Sequence, residues 1–366
     1  MNRHVSLTLF VGVLLGAGEL FAGVIPVTDK DVQNGLSPWN WVCRDDYVTS
    51  AICGASLTVG FKGTRQVSLL VDVGHIKKLA PTRYPIIAWS VNGGALRSHQ
   101  LAEGRTKIVL ASDAADPVVD LYVKGMSPYE NRYAGDVGAA AMKITGFAVD
   151  EGGAARPLDL PGKFWLSIGD SIMSGDGAAY AAGQGRPHND RWPEAGDGRA
   201  SYGCLLARHY GCREGRIAYG GYNWPRGMAG VPGLATLIDQ KTSTVSRLNG
   251  QALSPLPDVV LINLGENGVP KDATVIEALT KVRSRVGPKA KIIVMVPVSG
   301  RGRAEITRAF NEYKSSAKDA TAHLVDLGPL KFATCDGQHP TAAGHEAIFK
   351  AAVGRLDAIV TGPSAR

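Results

Sequence analysis

The spacing of apolar positions changes rhythm once along the chain. Between about residues 37 and 150 apolar side chains alternate with polar or small ones, the period of a half-buried strand. In 56–61 the residues Leu57, Val59 and Phe61 share one face, and Val67, Leu69, Val71 and Val73 repeat the pattern. Residues 86–91, 106–110, 118–124 and 142–149 are further strand candidates, and Asn92-Gly93-Gly94 reads as a hairpin turn. Short strands at this spacing, with no helical period among them, predict an all-β sandwich. A Gly/Pro-containing joint over 151–162 closes it.

After Lys163 strand-like runs alternate with helical ones. Strands are predicted at 164–168, 216–219, 258–264, 291–296 and 323–327. Between them the helical spacing of Val275, Leu279, Val282 and Val286 is followed by that of Ile306, Phe310, Tyr313 and Ala317. A last helix carries Ile348, Ala352, Leu356 and Ile359. Apolar strands separated by amphipathic helices predict a parallel sheet covered on both faces. The expected division is a sandwich over residues 23–160 and an α/β domain over 161–366. The Gly-, Pro- and polar-rich segment 178–199 is expected to be a long loop near the mouth of a site.

Composition adds little to this and excludes a good deal. A chain of 366 residues has room for two cores, and 45% hydrophobic with 20% charged residues is neither disordered nor fibrous. The net charge of +7 is spread along the sequence without a basic block, so nucleic-acid binding is not indicated. The first residues are more telling. A basic lead, Met1 to His4, precedes an apolar segment over 6–18 and a cleavage-like Leu20-Phe21-Ala22. Residues 1–22 therefore read as an export signal, too short to span a bilayer, and no later stretch is a membrane span. The mature protein is expected in a periplasm or outside the cell. Five cysteines in such a chain allow two disulfides. Cys43 with Cys53 and Cys204 with Cys212 are the local pairings expected, leaving Cys335 over; free buried thiols are the alternative. The spacings match no zinc pattern.

Candidate chemistry sits at the predicted strand ends. The run from Lys163 ends in Gly169-Asp170-Ser171, and a serine at the carboxyl end of a parallel strand lies where open α/β sheets place their ligands. Ser171 is the candidate nucleophile. Tyr219-Gly220-Gly221-Tyr222-Asn223 follows the second strand, and Gly265-Glu266-Asn267-Gly268 follows the third. Asp336-Gly337-Gln338-His339-Pro340 precedes the last helix.

These four blocks, in this order from about Lys163 to the end, resemble the SGNH (GDSL) hydrolase superfamily, a three-layer α/β/α fold. The resemblance implies a serine esterase without cofactor or metal. Ser171 would be the nucleophile, His339 its base, and Asp336 the group that fixes the imidazole. The N–H groups of Ser171 and Gly221 and the amide of Asn267 would form the oxyanion hole, with Gly220 the alternative to Gly221. One departure from the family is visible, and one feature argues against the α/β-hydrolase fold. Gly268 stands where the family usually has Asp, and Met173 stands where an α/β-hydrolase elbow would have Gly. The preceding sandwich, with 57–64, the turn at 92–94 and 144–147, is similar to the jelly-roll domain of carbohydrate esterase family 2. That likeness implies removal of acetyl groups from a polysaccharide. A lipase or lysophospholipase-type esterase, or an inactive carbohydrate-binding protein, are the rival readings. Trp224 and Trp192 are candidates to stack on a sugar ring, with buried packing the alternative for each. His345 is expected to be a helix-surface or packing residue rather than a second base, and His188 and Asp190 to be solvated.

Overall fold

A computed structural model describes residues 23–76, 79–138 and 141–362; the export signal expected over 1–22 lies outside them. The period-two segment forms two antiparallel sheets. One has the order β2–β3–β10–β5–β8, from β2 (Val42–Cys43), β3 (Val48–Ser50), β5 (Val67–Asp72), β8 (Arg105–Ala111) and β10 (Met142–Val149). The first strand, β1 (Gly23–Pro26), also pairs with β10. The other sheet runs β11–β4–β9–β6–β7, from β4 (Ser56–Lys62), β6 (Ile86–Val91), β7 (Arg97–Gln100), β9 (Val118–Gly125) and β11 (Ala154–Arg156). Alternating residues of the two sheets meet between them: Leu57, Val59 and Phe61 face Leu69, Val71 and Phe147, and the Phe61 and Phe147 rings lie 5.3 Å apart. Part of the expected joint is therefore sandwich, because Ala154–Arg156 pairs with β4 before the chain leaves.

The rest is a five-stranded parallel sheet of order β13–β12–β18–β19–β20. Its strands are β12 (Lys163–Gly169), β13 (Cys212–Ala218), β18 (Val259–Asn263), β19 (Lys291–Met295) and β20 (Ala322–Val325). Helices α4 (Tyr202–His209), α6 (Asp272–Val286), α7 (Arg303–Ala317) and α8 (Ala342–Thr361) supply its cover. Leu166, Ile168, Val260 and Ile262 pack into one cluster with α6 and α7, whereas Trp165, Val259 and Leu261 pack into the other with α4 and α8. A sheet covered on both faces thus follows a β-sandwich, the fold class expected.

The second strand begins four residues earlier than its hydropathy suggests. Arg213, Glu214 and Arg216 lie in β13, an edge strand whose charges are spent on the sandwich side. Arg213 donates to the carbonyls of Asn34 and Leu36, each at 2.8 Å. Arg216 is buried, paired with Glu214 at 2.8 Å, and donates to the Gly198 carbonyl at 2.8 Å. Asn40 of the sandwich bonds the Arg216 backbone at both its N–H and its carbonyl. The sandwich is thereby held against the sheet edge next to the site.

The disulfides expected do not form: all five cysteines are free. Three of them are buried among other partners. Cys53 is buried beside the Arg132 guanidinium at 3.7 Å, Cys204 packs within α4, and the Cys212 thiol donates to the Tyr210 carbonyl at 3.5 Å. Among the described residues no helix is long and apolar enough to cross a membrane.

Candidate active site

All four sequence blocks lie on the carboxyl side of the parallel strands. The chain leaves β12 through Gly169, where a Cβ would stand 2.3 Å from that of Met173, so only glycine admits the sharp turn. Asp170 then caps the short helix α2 (Ser171–Ser174), its Oδ1 accepting the Ile172 N–H at 2.9 Å. Ser171 is the first residue of that helix, so its Oγ is held rigidly at the sheet edge. The His339 loop is pinned from the other side: Cys335 N–H donates to the His339 carbonyl at 2.9 Å, and Thr341 caps α8.

His339 Nε2 lies 3.1 Å from Ser171 Oγ, and its Nδ1 lies 2.8 Å from Asp336 Oδ2. The other carboxylate oxygen, Oδ1, accepts the N–H groups of His339 (2.8 Å) and Gln338 (3.0 Å). One Asp336 oxygen thus builds the turn and the other orients the ring. Burial works to raise the Asp336 carboxyl, but the hydrogen bonds from His339 outweigh it and hold it below the usual carboxylate range.

Gly221 has φ +65°, and a Cβ there would lie 2.3 Å from Met228 Cγ. Among the described residues, the backbone N–H of neither Ser171 nor Gly221 is paired with an acceptor. Asn267 is placed beside them, its Nδ2 donating to the Tyr222 carbonyl at 3.0 Å and, at a longer 3.3 Å, to Asp170 Oδ2. Gly268, at φ +145°, offers its carbonyl to Asn223 Nδ2 at 2.9 Å, so this loop is tied through backbone where the family's carboxylate is absent.

The serine opens into a pocket of about 70 Å³ lined by Tyr129, Asp176, Trp192, Gly221, Met228 and Asn267. Tyr129 and its neighbour Pro128 come from the loop after β9, so the sandwich supplies part of the wall. Trp192, from the expected mouth loop, sets its ring edge-on to His339 at 5.3 Å. Trp224 does not line the site. It is 1% exposed in the core and its Nε1 donates to the Leu264 carbonyl at 3.1 Å, so the stacking role expected for it is withdrawn. His345 is fully buried against Tyr202, and burial first, then Arg216 and His339, push it down to about 3, leaving it neutral. Gln338 also borders an open cleft of about 610 Å³ lined by Glu266, Ser299, Arg301 and Phe332.

Asp176 and Tyr129 carry no sequence signal of a site. An Asp in a Gly-rich turn reads as solvated, and Tyr129 belongs to the other half of the chain. Two carboxyls here are buried. Burial pushes Asp170 up to about 7 against the hydrogen bond from Ile172, and raises Asp176 against the pull of Arg132 and His339. Among the described residues no group of three or more His, Cys, Asp or Glu is placed to hold a metal ion. The arrangement suits acyl transfer: a hydroxyl, an adjacent base with an orienting carboxylate, and free N–H groups around one small space.

The model of a family described as GDSL-like lipase/acylhydrolase matches residues 166–352, more than half of the chain. No curated protein sequence matches it. Solved structures of family two carbohydrate esterases share its fold. That from Cellvibrio japonicus is 18% identical with a TM-score of 0.73, over 93% of this chain and 98% of that one. An acetyl xylan esterase from the rumen bacterium Butyrivibrio proteoclasticus is 17% identical with a TM-score of 0.72, over 91% and 98%. The enzyme from Clostridium thermocellum in complex with cellohexaose is 17% identical with a TM-score of 0.70, over 92% and 98%.

Proposed function

The chain belongs to the GDSL-like lipase/acylhydrolase family, and from that premise we propose that it is an exported serine esterase that removes O-acetyl groups from a polysaccharide. His339 takes the Ser171 proton across 3.1 Å as Oγ attacks the acetyl carbonyl. Asp336 holds the Nδ1–H tautomer and stabilises the imidazolium. The Ser171 and Gly221 N–H groups and the Asn267 amide receive the oxyanion. The imidazolium then protonates the departing sugar oxygen. Water activated by His339 releases acetate from the acyl-enzyme.

The size of the pocket carries the acetyl reading. An apolar cavity of about 150 Å³ admits benzene, so the space of about 70 Å³ beside Ser171 accommodates roughly half as many heavy atoms, the size of an acetyl group. The open cleft beyond Gln338, with Phe332 and polar neighbours, suits the sugar chain. The fold shared with carbohydrate esterases supports the substrate class, and the basic-then-apolar lead over 1–22 supports export.

Acetate release from acetylated xylan, mannan, pectin and peptidoglycan, with Ser171→Ala as control, tests this directly. One acetylated polymer should stand out, and aryl acetate should be preferred over aryl octanoate. Preference for octanoate would support the lipase reading. Polysaccharide binding without any ester hydrolysis would support the binding-protein reading.

A further inference from the structure

Asp176 has no task in the reaction just described, yet it lines the same pocket as Ser171. It is 5% exposed, its Oδ2 is buried without a hydrogen bond, and the Ser174 hydroxyl, also unpaired, is the neutral side chain that bears on the carboxyl. Its backbone is fixed, because its N–H donates to the Ser171 carbonyl at 3.0 Å. The carboxylate lies against the turn that holds Gly221, with Oδ2 3.4 Å from where a Cβ on Gly220 would stand. No cation forms an ion pair with it among the described residues. Arg132, the buried cation of this region, donates to the Ala51 carbonyl at 3.3 Å and lies over the Tyr219 ring at 5.1 Å. A buried carboxylate oxygen left unpaired is costly in the free protein, and a ligand that satisfies it recovers that cost.

We propose that Asp176 is a specificity residue whose carboxylate, in the wall of the Ser171 pocket, accepts a hydrogen bond from a substrate hydroxyl close to the scissile ester. The proposal rests on the esterase reading of the site. The hydroxyl can belong to the alcohol side, as the sugar hydroxyl neighbouring the acetylated one, or to the acyl side, as in a hydroxyacyl ester. In both cases a substrate lacking it leaves the carboxylate unpaired, and the site selects against that substrate.

The test compares kcat/KM of the full chain on three esters: 4-nitrophenyl acetate, which offers no donor, 4-nitrophenyl glycolate, with a donor on the acyl group, and a monoacetylated methyl xyloside, with donors on the alcohol. Asp176→Ala should lower the ratio of a donor-bearing ester to 4-nitrophenyl acetate by about tenfold to a hundredfold, the worth of a hydrogen bond to a charged group. The xyloside ratio falls if the hydroxyl is on the sugar, and the glycolate ratio if it is on the acyl group. Asp176→Asn, whose amide oxygen still accepts, should fall between wild type and Ala, and it decides the matter should the Ala variant not fold. Equal losses on all three esters, or unchanged ratios, would overturn the proposal and leave Asp176 a structural residue. Calorimetric binding of the acetylated xyloside to Ser171→Ala, with and without Asp176→Asn, reads the same bond without turnover. Weaker binding in the double variant supports the proposal even where the esterase reading fails, and equal binding together with an unchanged glycolate ratio refutes it.

Discussion

Replacing Asp336 by Asn separates the two tasks of that side chain. Oδ1 accepts the Gln338 and His339 N–H groups, at 3.0 and 2.8 Å, and an Asn carbonyl oxygen can do the same. The turn should therefore survive. The position facing His339 Nδ1 at 2.8 Å then holds an NH2 group, a donor where the carboxylate was an acceptor. The imidazole must turn Nδ1 into the acceptor and carry its proton on Nε2, the nitrogen 3.1 Å from Ser171 Oγ. In that tautomer it cannot take the serine proton. The comparable substitution in a serine-protease triad lowers kcat by about 10⁴, or about 5.5 kcal/mol at 1.36 kcal/mol per decade. The stability change is only that of exchanging charged for neutral hydrogen bonds, about 1 kcal/mol. Steady-state hydrolysis of 4-nitrophenyl acetate against pH, with a thermal melt of the same samples, measures both. A loss below tenfold, with an unchanged pH profile, would refute the reasoning and reduce Asp336 to a turn residue.

Asn267→Ala should lower kcat about a hundred- to a thousandfold while leaving measurable turnover, because the Ser171 and Gly221 N–H groups remain; an unchanged rate would mean the oxyanion donors are misassigned. Asp170→Asn should alter stability in a pH-dependent way. The native Asp170 is raised from 3.8 to about 7, so the folded state favours its protonated form. Its contribution is complete below about pH 4 and is lost as pH rises through 7. Asn caps the helix equally well and does not titrate, so the variant should gain on wild type as pH rises from about 4 to 7, by up to about 4 kcal/mol, and keep that gain above 7. A difference in melting temperature that stays flat with pH would contradict this.

The hydrophobic rhythm revealed the two kinds of sheet because both bury a repeating face. The expected strands at 86–91 and 142–149 coincide with β6 and β10. It failed where charged residues are buried. Arg213, Glu214 and Arg216 conceal the start of β13: Arg213 and the Arg216 backbone bond sandwich groups 179 and 176 residues away, and Glu214 pairs with Arg216. It also failed where a strand is too short to show a period, as at Ala154–Arg156. The grouping of Ser171, His339, Asp336 and Asn267 was legible because each stands at a strand end or in a loop on the same side of the parallel sheet. The pocket walls were not. Tyr129 reaches the site only through the docking of one half on the other, and Trp224 and Trp192 look alike in sequence. One is satisfied by the Leu264 carbonyl in the core, and the other stands beside His339.

The central claim is that ester cleavage passes through a covalent bond to Ser171. Rapid acid quench of the protein with an excess of aryl acetate, followed by peptide mass spectrometry, tests it most directly. A single acetyl group on the peptide that contains Ser171, absent from Ser171→Ala together with all turnover, is the result predicted. Acetylation elsewhere, or hydrolysis that persists in Ser171→Ala, would contradict it.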